Sequence, residues 1–230
     1  MRTRWMVLAA VAAALCASPA LAAAGDNRLD DRSADTYSAA ELVVLQRTAA
    51  RGDAEAMYEL AMVYRDGEGA EPDLKKAFYW FRKSAVKGKV EAMNEVGCAL
   101  SKGSGVALDY VAALDWFKKA ADKGDIIAML NIGVAYDMGQ GVAINDAEAV
   151  RWYLRSAQAG DPTAALYLAN MYERAEGVKL DFEAAARWYS LAARSEDADE
   201  RAEAQAGLER VGDGALAIRP APEETSLTAT

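Results

Sequence analysis

The sequence predicts an all-α protein, an α/α solenoid of four 36-residue helix-pair repeats with a capping half-repeat at each end. Three observations predict it. Glycines recur at Gly52, Gly88, Gly124 and Gly160, and tryptophans at Trp80, Trp116, Trp152 and Trp188, with no insertion or deletion between blocks. The apolar positions keep step, with Ala56, Ala92, Ala128 and Ala164 followed by Leu60, Val96, Ile132 and Leu168. Such self-similarity at a fixed period marks stacked units that share one continuous core. Third, the chain has only five prolines and no run of β-branched residues, which argues against sheet.

Residues 1–24 read as a secretory signal peptide. Arg2 and Arg4 form the charged start, Trp5–Ala17 the short apolar run, and small residues allow cleavage near Ala22 or Ala24. The run is too short for a comfortable membrane span, and Pro19 interrupts it. The expected location is periplasmic or secreted, without stable membrane insertion after cleavage. A lipidated Cys16 is disfavoured, because Leu15 stands where a lipoprotein signal has a small residue. Residues 25–37 form a polar leader. Ser38 and Glu41 then make a capping box. Glu41, Val44, Leu45 and Ala49 align at the repeat period with Ala77, Trp80, Phe81 and Ala85. The first helix therefore mimics the second helix of a repeat and closes the N-terminal end.

The solenoid spans 38–211, with repeats at 49–84, 85–120, 121–156 and 157–192. In each repeat the first helix is capped by Asp53, Asp125 or Asp161, with Pro162 in the favoured first position; Lys89 is a poorer cap. Ala61, Gly97, Gly133 and Ala169 read as a close helix crossing. The turns are Gly67-Glu-Gly69, Gly103-Ser-Gly105, Gly139-Gln-Gly141 and Ala175-Glu-Gly177. Second helices are capped by Asp73, Asp109, Asn145 and Asp181, and carry Ala-x-x-Trp followed by Phe or Tyr. Ala198–Val211, rich in Glu and Arg, reads as the C-terminal cap, and 212–230 as a disordered tail.

The pattern G-D-x-x-A-x-x-x-L-[AG]-x-x-Y-x-x-G-x-G-x-x-x-D-x-x-x-A-x-x-W-[FY] resembles the Sel-one-like repeat, a relative of the tetratricopeptide repeat of about 34 residues. The resemblance covers 49–192 fully and the flanking half-repeats loosely. It implies an adaptor or scaffold that holds other proteins on a concave surface, and exported bacterial members often work in envelope assembly or signalling. A cysteine-rich branch of the family is linked to β-lactam binding and pairs cysteines within each repeat. This chain lacks those cysteines, so that activity does not carry over. Leu100 replaces the aromatic of Tyr64, and Ala175 the first turn glycine.

The formal charge of −9 favours solubility and opposes binding to nucleic acid or anionic lipid. The absence of histidine removes Ser-His-Asp and Cys-His catalysis and His-ligated zinc or haem. Of Cys16 and Cys98 only the second survives cleavage, leaving no internal disulfide and a small buried thiol. The tryptophans recur with the structural unit and read as core, not as a ligand ladder. The Gly-x-Gly turns lack the strand and Lys-Ser/Thr of a phosphate cradle. The carboxylates read as a solvated face, and no Ser/Lys nucleophile is read, Ser84 and Ser101 having the wrong spacing or partners. The chain is expected not to be an enzyme, with no catalytic residue, cofactor or metal.

One stripe on the first helices does not repeat. At i, i+4, i+7 and i+11 it reads Glu55, Glu59, Met62, Asp66; Glu91, Glu95, Cys98, Lys102; Ile127, Asn131, Val134, Met138; and Thr163, Tyr167, Asn170, Arg174. A surface that structure does not force to repeat is free to encode a partner. The expected partner is a protein or peptide, held by Glu55, Glu59, Met62, Glu91, Glu95, Ile127, Asn131, Met138, Tyr167 and Asn170. The acidic end steers a basic segment, while Ile127, Met138 and Tyr167 anchor an apolar one. The expected function is a periplasmic adaptor or regulator. The alternatives are a cell-wall or β-lactam-binding relative and a membrane-tethered spacer.

Overall fold

The computed structural model describes residues 37–218, so the stretches read as signal peptide and as leader to residue 36, and residues 219–230 of the tail, lie outside the described residues. All ten elements among the described residues are α-helices. They fall into two compact units divided after Asp161. The first holds α1 (Ala39–Ala50), α2 (Ala54–Asp66), α3 (Leu74–Val86), α4 (Val90–Lys102), α5 (Tyr110–Ala121), α6 (Ile126–Met138) and α7 (Asp146–Gln158). The second holds α8 (Pro162–Arg174), α9 (Phe182–Ala192) and α10 (Ala198–Ile218). Within each unit every helix packs on the next in the chain, and α8 also meets α10.

Capping chemistry sets the helix starts. The first amides of a helix have no partner inside it, and a short polar side chain at the N-cap supplies one. Ser38 and Glu41 form the reciprocal capping box. Asp53 accepts from the Ala56 amide at 2.8 Å and Asp125 from that of Ala128 at 2.7 Å. Asp109, Asn145 and Asp181 do the same for α5, α7 and α9. Lys89 makes no side-chain cap.

Each helix end in the first unit that carries a turn glycine closes in the left-handed region, as at Gly103 with φ 70°. The second turn glycine has another reason. A Cβ on Gly105 would lie 2.1 Å from the Leu74 carbonyl oxygen at the start of α3, and one on Gly141 2.5 Å from the Tyr110 carbonyl. The turn of one block thus rests on the backbone entering the second helix of the block before, and only hydrogen fits between them.

Ala175 holds φ 57° where other blocks have glycine, and is the one non-glycine with positive φ among the described residues. Ala175→Gly is expected to stabilise the second unit by about 0.5–1 kcal/mol, since strain relief exceeds the added unfolded-state entropy. A lowered urea midpoint would contradict this.

On the second helices the buried aromatics are Phe81, Phe117, Tyr153 and Tyr189. The tryptophans before them are half-buried, which corrects the reading of them as core. One indole face packs inward, and on three of them a cation three residues on covers the ring: Lys83 at 5.1 Å, Lys119 at 4.3 Å and Arg155 at 4.2 Å. A second correction concerns the tail, because α10 runs on to Ile218 and residues 212–218 are helical. Extending an existing helix gains one bond per residue, so Gly212 and Gly214 weaken the helix without ending it. Cys98 is buried, as the sequence suggests.

Candidate functional site

The acidic half of the stripe lies on α2 and α4 in the first unit. Where the other first helices have an Asp cap, Lys89 instead reaches sideways. Its ammonium pairs with Glu55 at 2.8 Å and Glu91 at 3.2 Å, tying α4 to α2. Hydrogen bonding to Glu55, and then to Glu91, holds the Lys89 pKa above its ordinary value despite partial desolvation. The two carboxylates stay 57% and 56% exposed. Glu59 is exposed as well.

Glu55 and Glu59 share a cleft of about 560 Å³ between α1 and α2, with Tyr37, Glu41, Val44 and Leu45 on its walls. The cleft is both apolar and acidic, and Val44 is largely exposed. The Tyr37 phenol is pushed above its ordinary pKa, by burial first and then by the charges of Glu59, Glu68 and Glu41. The Asp125 carboxyl is likewise raised, by burial first and against its hydrogen bond from Ala128, with Glu91 and Glu95 adding to the rise. A raised folded pKa means that ionising Asp125 opposes folding as pH climbs through it. Glu91→Gln is therefore expected to shift the Asp125 titration downward, read from its carboxyl carbon by NMR; an unmoved titration would remove Glu91 as a cause.

The remaining predicted residues are placed differently. Glu95 is 5% exposed and paired with Arg65 at 3.2 Å, so its charge is matched within the fold. Arg65 also holds Asp66 at 2.8 Å and lies over the Phe81 ring. Met62, Ile127 and Met138 are half-buried. Asn131 is buried and donates to Asn94 Oδ1 at 3.0 Å, joining α6 to α4. In the second unit Tyr167 and Asn170 are buried on α8, and Asn170 accepts from the Tyr189 hydroxyl at 2.8 Å. The structure thus brings Glu55, Glu59 and Glu91 together at a surface and places Glu95, Asn131, Tyr167 and Asn170 inside.

Sequence reasoning missed three contributors. Tyr37 and Glu41 were read as leader and cap, yet they wall the cleft. Lys89 was read only as a weak cap; a lysine where three blocks have aspartate was the available signal. The sequence also spells Ser-x-x-Lys at Ser84–Lys87, which corrects the reading that no such spacing occurs. The Ser84 side chain is fully buried and its hydroxyl donates to the Ala54 carbonyl at 2.6 Å, a packing bond between α3 and α2.

Comparison with known proteins gives one family. The Sel1 repeat model matches residues 54–88, 90–125, 126–161 and 162–197. A solved protective antigen of uropathogenic Escherichia coli displaying an SLR fold is 32% identical, over 77% of this chain and 37% of that one, with a TM-score of 0.71. A Sel1 repeat protein from Oxalobacter formigenes is also 32% identical, over 68% of this chain and 66% of that one, with a TM-score of 0.65. The chain therefore spans less than two thirds of either structure. No curated protein matches it.

Proposed function

Given that the chain belongs to the Sel1 repeat family, we propose that it is an exported, non-catalytic adaptor that captures a basic segment of a cell-envelope protein on the acidic face of α2 and α4. Proteins built from Sel1 repeats generally mediate protein–protein interaction and are generally non-enzymatic scaffolds. The observation that carries the reading for this chain is the α1–α2 cleft, where Glu41, Glu55 and Glu59 line an open surface beside exposed Val44. A lysine or arginine entering it pairs with the carboxylates of Glu41, Glu55 or Glu59, and its aliphatic stem packs on Val44 and Leu45. Glu55 and Glu91, both paired with Lys89 yet exposed, extend the acidic surface from α2 to α4. Export rests on residues 1–24, and N-terminal sequencing of the secreted protein is expected to begin just after Ala22 or Ala24.

A fluorescently labelled Lys/Leu-rich peptide tests the site. It is expected to bind with micromolar affinity at low salt, to weaken steadily as salt rises, and to ignore a Ser/Leu control of equal length. Equal binding of the two peptides, or binding indifferent to salt, would set the acidic cleft aside.

A further inference from the structure

The net charge of −9 hides a region of opposite sign. Residues Leu74–Lys89 hold six basic residues and no acidic one. On α3 and its C-cap, Lys75, Lys76, Arg82, Lys83 and Lys87 are all exposed. At 3.6 residues per turn they share an arc of about 140°, opposite the buried Ala77, Phe81, Ser84 and Ala85. Lys76 reaches Asp73 at 3.3 Å; the other four have no carboxylate partner among the described residues. Two apolar side chains stand in the same arc, Tyr79 at 50% and Val86 at 73% exposure. Lys83 lies over the rings of Tyr79 and Trp80.

Nothing in the repeat requires this face. At the same register the α5 segment mixes Asp115 and Asp122 among its lysines, and α7 carries Asp146 and Glu148 against Arg151 and Arg155. A face serving only solubility has no use for a protruding tyrosine and valine between its cations.

We propose that the outer face of α3 docks the protein onto an anionic phospholipid surface. Ammonium and guanidinium groups meet the phosphates, Tyr79 sits at headgroup depth, and Val86 reaches the acyl boundary. The acidic remainder of the chain does not prevent this. Charges are screened beyond about 8 Å at physiological salt, so a surface touching α3 meets its cations and only weakly the carboxylates a helix diameter away. The whole-chain charge, which predicts repulsion from anionic lipid, averages over a distance that the solvent does not transmit.

The test is sedimentation of the protein, as recovered from the producing cell, with phosphatidylglycerol-containing and with pure phosphatidylcholine vesicles. Each cation near such a surface contributes roughly fivefold to partitioning. The variant Lys75→Gln, Arg82→Gln, Lys83→Gln, Lys87→Gln is expected to bind anionic vesicles about a hundredfold more weakly or worse, with unchanged circular dichroism. Tyr79→Ser with Val86→Ser is expected to remove the part of binding that survives high salt. Any binding through residues 1–24 is common to all three proteins and cancels in the comparison. Equal binding of wild type and the charge variant overturns the proposal, as does equal binding to both lipids. Binding to polyglutamate without binding to anionic vesicles also overturns it and assigns the face to an acidic protein segment.

Discussion

Gly105→Ala and Gly141→Ala are each expected to destabilise the first unit by about 3 kcal/mol or more. Two costs combine. The backbone sits at φ 73° and 72°, where a Cβ costs about 1–2 kcal/mol. The new methyl also lands on a neighbouring block's backbone, which has no rotamer to move aside. Gly124 separates the terms, because its φ is also positive, at 92°, yet no atom lies within 4 Å of its Cβ position. Gly124→Ala is expected to cost only about 1–2 kcal/mol. Since repeat arrays are stabilised largely through nearest-neighbour contacts, the alanines at 105 and 141 should also broaden the unfolding transition, and that at 124 should not. Urea denaturation followed by circular dichroism reads both effects. Equal losses at all three positions would refute backbone docking between blocks.

The second large effect concerns Tyr189 in the second unit. It is fully buried, and its hydroxyl lies at the centre of Asn170, Glu173 and Arg210. The single phenol proton serves either Asn170 or Glu173, while Arg210 donates to the phenol oxygen at 3.2 Å and to Glu173 at 2.9 Å. Burial, and then Glu173, push the phenol above its ordinary pKa, which keeps it protonated as a donor. Tyr189→Ala is expected to cost about 3–5 kcal/mol through the cavity. Tyr189→Phe keeps the ring and is expected to cost about 1–2 kcal/mol for the lost hydrogen bonds.

The two variants differ in pH dependence. Burial raises the Glu173 pKa, but hydrogen bonds from Arg210 and Tyr189 outweigh it and leave it lowered. A lowered folded pKa gives stability that is present above the unfolded value of about 4.3 and lost as pH falls through the folded value. The Tyr189→Phe penalty should therefore shrink below about pH 4, while the cavity penalty of Tyr189→Ala persists. A Phe penalty constant across that range would show that the carboxylate does not use the phenol.

This network shows how the sequence carries more than the period alone. The aromatic after each tryptophan is Phe81, Phe117, Tyr153 and Tyr189, and the first helix carries at one shared register position Arg65, Ser101, Asp137 and Glu173. The hydroxyl appears where a carboxylate faces it, as in the Tyr153–Asp137 pair at 3.4 Å. The helices, caps and turn glycines were legible because each follows from local spacing and backbone chemistry. The division after Asp161 was not, since the 36-residue register runs through it unbroken.

The candidate site was legible in part. Spacing put Glu55, Glu59 and Glu91 on one stripe, and those three are at the surface. Spacing alone did not show that Glu95 turns inward to Arg65, because both residues occupy positions that are exposed in an isolated helix. Nor did it show the wall supplied by α1, which depends on how a half-repeat packs against its neighbour. Whole-chain charge concealed the basic face of α3 for the same reason, since composition carries no position.

The most direct test of the adaptor reading is crosslinking capture from the envelope fraction, with wild type beside Glu55→Gln, Glu59→Gln, Glu91→Gln. Glu95 is left intact because its loss would disturb Arg65 inside the fold. The account predicts one protein crosslinked through a Lys/Arg-rich segment by the wild type and lost from the variant, with helicity unchanged. The same protein captured equally by both would contradict it.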